Sequence, residues 1–150
     1  MKFILVIAAV LAGDPATTDP SLEVVPMFFE GLASCLDYFK AANDPVGAKL
    51  QAEYDKLYPG TVLFTAGSAA TGMYRGLKLW EVAVNQAKKV DRETVAAALD
   101  KARIPEGPGG GAEMVSGKRH CKMNMYIAVA KNGKYEVVSQ SKGLVDPKEC

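Results

Sequence analysis

The sequence predicts an α/β fold in which helices pack on a sheet that ends in a β-hairpin. An apolar run from Leu32 to Phe39, opened by Gly31 and closed by "KAANDP", reads as a buried strand leading into a loop. From about Ala69 to Lys89, Met73, Leu77, Trp80, Val84 and Ala87 recur at helical spacing. In "MNMYIAVAKNGKYEVVSQ", Met123, Met125, Ile127 and Val129 alternate with Asn124, Tyr126 and Ala128, and Asn132-Gly133 supplies a type I′ turn. Strand, helices and hairpin in that order suit a layer of helices over a sheet.

The elements follow one another along the chain. "MKFILVIAAVLAGD" reads in two ways. It is either an export signal, with one lysine, an apolar core and Val10-Leu11-Ala12 as a cleavage site, or a buried parallel strand. Residues 1–12 are set apart on that ground, and 13–150 are taken as one folded unit. The run is shorter than the roughly 20 apolar residues that span a bilayer. Asp19-Pro20 pairs an N-cap with a proline at the first helical position, so a short helix or turn starts there.

Asp44-Pro45 repeats the signal. Leu50, Tyr54 and Leu57 then recur at helical spacing until Pro59-Gly60 stops the helix. Ser68 or Thr65 caps the long helix, whose lysines gather at its far end, where the macrodipole favours them. On this helix Tyr74 and Trp80 are read as core. Asp91 caps the next helix, Arg92 to Ala102, with Val95, Ala98 and Leu99 facing inward.

Composition narrows the function classes. Eighteen basic residues against seventeen acidic ones leave a net charge of +1, which produces no field to gather nucleic acid. The hydrophobic content of 49% is that of a globular chain with no low-complexity tract. The three cysteines, Cys35, Cys121 and Cys150, match no CxxC spacing and so no zinc motif. In an exported chain they give one disulfide and one buried thiol, with Cys35 to Cys150 as the expected pair, since a bridge at Cys150 would tie down the terminus.

"GPGGGA", from Gly107, superficially fits the dinucleotide pattern G-x-G-x-x-G/A. That motif must follow a strand and open a helix, whereas here it precedes a hairpin, and Pro108 lacks an amide. The glycines instead allow positive φ and a tight route to the sheet. His120 and Cys121 are neighbours on an extended segment and point to opposite faces, so they form neither a dyad nor a zinc site. No constellation reads as catalytic, and no metal or cofactor is expected.

Three stretches carry a resemblance. "EGLASCLDYFKAANDP", "GMYRGLKLWEVAVNQAKKVDRETVAAALDKA" and "EGPGGGAEMVSGKRHCKMNMYIAVAKNGKYEVV", together with "TTDPSLEVV" before them, stand in the order found in the C-terminal part of type I periplasmic solute-binding proteins of ABC transporters. The branched-chain amino acid, amide and urea group is the most similar. The resemblance implies the C-terminal lobe of that fold, here a truncated copy. It also implies a non-enzymatic, periplasmic or extracytoplasmic role in which a small-molecule solute is bound and presented to an ABC permease. Thr17, Thr18, Ser68 and Ala69 would contact the solute, although the hydroxyls of Thr17, Thr18 and Ser68 serve equally well as helix caps. A surface meant for the absent lobe would favour self-association. A cytoplasmic ligand-sensing regulator on the same fold is the alternative.

Overall fold

The computed structural model describes residues 30–42, 44–59, 68–132 and 134–148. Both readings of residues 1–12, the Asp19-Pro20 cap, the loop that holds Thr65, and Cys150 of the expected bridge lie outside them. The described elements are β1 (Ala33–Leu36), a 3-10 turn (Lys40–Ala42), α1 (Pro45–Leu57), α2 (Ser68–Ala87), α3 (Arg92–Leu99), β2 (Arg103–Ile104), β3 (Ala112–Met114), β4 (Cys121–Met123), β5 (Tyr126–Lys131) and β6 (Lys134–Gln140).

The helix starts follow their caps. Asp44 takes extended backbone angles and accepts from the Gly47 amide, with Pro45 inside the first turn. Asp91 does the same for α3 through the Thr94 amide. Each side chain satisfies an amide that the helix itself leaves without a partner. Helix α3 ends at Leu99, short of Ala102, and Ala102 is instead buried just ahead of β2.

Two three-stranded antiparallel sheets form, β1-β5-β6 and β2-β3-β4. The second was not foreseen. Met123 belongs to its strand β4, and Asn124 and Met125 carry the chain across to β5. The expected hairpin is β5 and β6, paired from Lys131 with Lys134 to Tyr126 with Gln140, with a register shift at Ile127 and Ala128. Asn132 has φ of 52°, the left-handed conformation a type I′ turn requires.

Each sheet carries its own core. Leu79 and Ala83 of α2, Val95 of α3 and Ile104 and Ala112 of the β2-β3-β4 sheet form the first. Phe39, Tyr126 and Ala128 form the second, with Tyr135 meeting Phe39 edge to face at 5.2 Å.

Three expectations about burial are corrected. The face of α2 that packs inward is Thr71, Arg75, Leu79 and Ala83, while Met73, Leu77 and Trp80 are 67%, 60% and 49% exposed. Leu77 lies about 200° around the helix from Arg75, so Met73, Leu77 and Trp80 are on the side away from the buried face, while Val84 and Ala87 of the same expected stripe pack on the first core. Trp80 is therefore not core, and Tyr74 is only half-buried. The strand predicted over Leu32 to Phe39 is limited to Ala33–Leu36, whose residues alternate between exposed and half-buried. Burial begins after it, at Tyr38 and Phe39. On α1, Leu57 is exposed, and Gly47 and Gln51 are the buried residues.

Candidate functional site

Ser68 is the first residue of α2 and is half-buried, and its carbonyl accepts from the Thr71 hydroxyl at 3.1 Å. Ala69 follows in the same turn. Thr17 and Thr18 lie outside the described residues, so of the four expected solute contacts only this helix start is placed. His120 is exposed at the end of the loop between β3 and β4, whereas Cys121 packs on the first core. Among the described residues no group of three or more His, Cys, Asp or Glu is positioned to hold a metal ion. Among them, too, no helix is long and apolar enough to cross a membrane.

The polar centre of the molecule lies between the two cores, at the glycine-rich turn. Gly110 donates its amide to the Gly107 carbonyl at 2.8 Å, and Gly109 has φ of +76°. With Pro108 second and a left-handed glycine third, "GPGG" takes the form of a type II turn. A side chain at Gly109 would run into the Asp37 carbonyl, and one at Gly110 into the Asn124 amide. The glycines thus permit close approach as well as the turn itself.

Four side chains hold this turn. Arg75 of α2, 1% exposed, donates to the Pro108 carbonyl and pairs with Asp37, just after β1. Asp44, the cap of α1, accepts from Gly47 N at 2.7 Å and from Gly109 N at 3.1 Å. The Tyr126 hydroxyl of β5 and the Asn124 side-chain amide donate to the Gly109 carbonyl at 3.0 and 3.3 Å. Burial lowers the Arg75 pKa from its ordinary value, opposed by Cys121 and Tyr126. Burial raises that of the Tyr126 phenol, and Asp44 adds to the rise. Arg75 Nε is buried with no hydrogen-bond partner among the described residues. The arrangement commits its charges to one another and to backbone, which makes it a clamp that fixes the mutual position of the two sheets, α1 and α2.

Sequence reasoning missed this clamp. Its readable signals were the Pro-Gly turn, the Asp44 cap and an arginine on the face of α2 opposite the apolar stripe.

The periplasmic binding protein family profile matches residues 7–134. A comparison with curated proteins finds no match. Among solved structures the chain is similar to the leucine-binding protein LivK of Thermotoga maritima, with 23% identity and a TM-score of 0.59 over 74% of this chain and 31% of that one. It is also similar to an ABC transporter solute-binding protein of Rhodopseudomonas palustris BisB5 in complex with 3,4-dihydroxybenzoic acid, at 22% identity and 0.66 over 79% and 32%. A third, the R. palustris solute-binding protein in complex with 4-hydroxybenzoate, gives 20% and 0.67 over 94% and 42%. These likenesses are in fold, and the chain spans 31% to 42% of the length of these three structures. The profile match across most of the chain and the agreement in fold lead to one conclusion: the chain belongs to the periplasmic binding protein family.

Proposed function

We propose that the chain is part of the extracytoplasmic solute-binding component of an ABC transporter and recognises a small amide, urea or branched-chain amino acid. In this reading Thr17, Thr18 and the Ser68-Ala69 start of α2 contact the solute, and the bound form is presented to the membrane permease. The family match over residues 7–134 carries it.

The chemistry is compatible. Helix α2 runs from Ser68 to Ala87, and its first-turn amides and positive dipole end suit a carbonyl or carboxylate oxygen. Binding by such groups holds the solute without bond chemistry, as transport requires. The ligands named for the similar structures, leucine and two hydroxylated benzoic acids, are all small carboxylates, so a carboxylate-bearing solute belongs in the test beside the amides.

Calorimetric titration with acetamide, urea, leucine, isoleucine and 4-hydroxybenzoate tests the reading. It is run on the chain and on a chimera in which the chain replaces the matching part of the T. maritima protein. Saturable binding of an amide, urea or a branched-chain amino acid, weakened by Ser68→Ala, is expected. A folded chimera that binds none of the panel refutes the reading. Binding of 4-hydroxybenzoate alone corrects the solute class.

A further inference from the structure

The outward face of α2 carries three large apolar side chains, Met73, Leu77 and Trp80, at 67%, 60% and 49% exposure. They stand four and then three residues apart, which at 100° per residue confines them to about 60° of the helix surface. That alternation is the spacing of a coiled-coil seam. Gly76 lies beside them on the same side, exposed, and a Cβ added to it would meet nothing within 4 Å. A row of large apolar groups along one helix marks an interaction surface, as singly scattered ones do not.

We propose that this face is a two-fold interface between two copies of the chain, with their α2 helices antiparallel. A two-fold interface must fit itself, so each knob needs a hole on the same surface. Trp80 is the knob. Met73, Gly76 and Leu77 border the hole, and the missing side chain at Gly76 leaves the room an indole needs. With the helices antiparallel, Leu77 of each copy packs on Trp80 of the other, and Met73 reaches the half-buried Val84.

Charge selects both the occupant and its direction. Lys78 and Glu81 border the strip, exposed and paired with each other at 2.8 Å. An antiparallel copy brings Glu81 of one chain to Lys78 of the other, and the symmetry repeats that pair. A parallel copy would set Lys78 against Lys78 and Glu81 against Glu81, which is repulsive. The strip from Met73 to Trp80 rises only about 10 Å along the axis, so the contact is smaller than a standard interface and the dimer is weak, with a Kd of about 0.1 to 1 mM. At the micromolar concentrations of a thermal melt the chain is then a monomer. The proposal does not rest on the solute contacts at Ser68 and holds or fails independently of them.

Sedimentation equilibrium of the whole chain from about 10 μM to 2 mM tests the proposal, with the emission of Trp80, the single tryptophan, followed over the same range. A monomer–dimer equilibrium is expected, with a blue shift as the indole leaves water. Leu77→Lys raises the Kd about tenfold or more. Gly76→Leu, which fills the hole with a better helix former, does the same while the monomer melts no lower than the unaltered chain. Lys78→Glu and Glu81→Lys each weaken self-association, yet the two variants mixed pair about threefold or more tighter than either does alone. A pair that acts only within one helix cannot produce that preference. The proposal is overturned by a chain that stays monomeric to about 2 mM, which leaves the face to a different polypeptide. It is equally overturned by a dimer that Leu77→Lys and Gly76→Leu leave unchanged, or by charge variants that show no preference for each other.

Discussion

Replacing Arg75 by Met tests the central clamp. The substitution keeps an unbranched side chain of similar reach but removes the pair with Asp37 and the bond to the Pro108 carbonyl. Asp37 is then left mostly buried and uncompensated. Breaking a buried pair from one side costs about 3 to 5 kcal/mol, a large share of the roughly 5 to 15 kcal/mol that stabilises a domain. At this chain length each kcal/mol lowers Tm by about 2 to 4 °C, so a fall of about 6 to 20 °C is expected. Urea unfolding followed by circular dichroism measures the difference directly. In an Asp37→Asn background the same change should cost about 1 to 3 kcal/mol less, because the carboxylate that would be stranded has already gone. A loss below about 1 kcal/mol for Arg75→Met, or strict additivity with Asp37→Asn, would refute the assignment of Arg75 as a clamp between the cores.

Other outcomes follow from the same geometry. Gly109→Ala and Gly117→Ala both place a side chain at positive φ, but a Cβ at Gly117 meets nothing within 4 Å whereas one at Gly109 strikes the Asp37 carbonyl. Denaturant melts should show about 1 to 2 kcal/mol lost at Gly117 and clearly more at Gly109, and equal losses would remove the close-approach argument. The hydrogen bonds from Thr94 hold the Asp91 carboxyl below its ordinary value of 3.8. Its contribution to stability is therefore present above that pH and lost as pH falls through the lower folded value. Asp91→Asn should flatten that part of an acid-stability profile while still capping α3. Leu77→Lys and Trp80→Gln, at 60% and 49% exposure, should change stability by no more than about 0.5 kcal/mol in thermal melts, and a larger loss would return that face of α2 to the core.

Local rules made much of the fold legible. Asp44-Pro45 and Asp91 announced two helix starts because capping is a contact between residues three apart, and Asn132 announced the turn between β5 and β6 for the same reason. The apolar period of α2 predicted a helix correctly, and its buried side correctly for Val84 and Ala87 but wrongly for Met73, Leu77 and Trp80. Periodicity reports that one face differs from another, and the face with Met73, Leu77 and Trp80 is the more apolar. The inward face carries Thr71 and Arg75 because Asp37 and the Pro108 carbonyl wait there, and both come from distant parts of the chain. The short β2-β3-β4 sheet escaped notice since strands of two or three residues show too few alternations to count.

The candidate site divides along the same line. The start of α2 at Ser68 could be read from sequence, as could the turn chemistry of "GPGG". That Asp44, the cap of α1, also accepts the Gly109 amide could not, since the two are far apart in the chain.

The sequence by itself determined the helix boundaries set by caps, the hairpin turn and the order of motifs that marks the family. All of these arise within a few residues or from linear order. Only the tertiary structure decided which side of α2 is buried, that two antiparallel sheets share the molecule, and that an arginine, two aspartates and a tyrosine meet at one glycine turn. Those outcomes rest on pairing polar groups that are far apart in the chain, and burial makes such pairing obligatory without local sequence naming the partner.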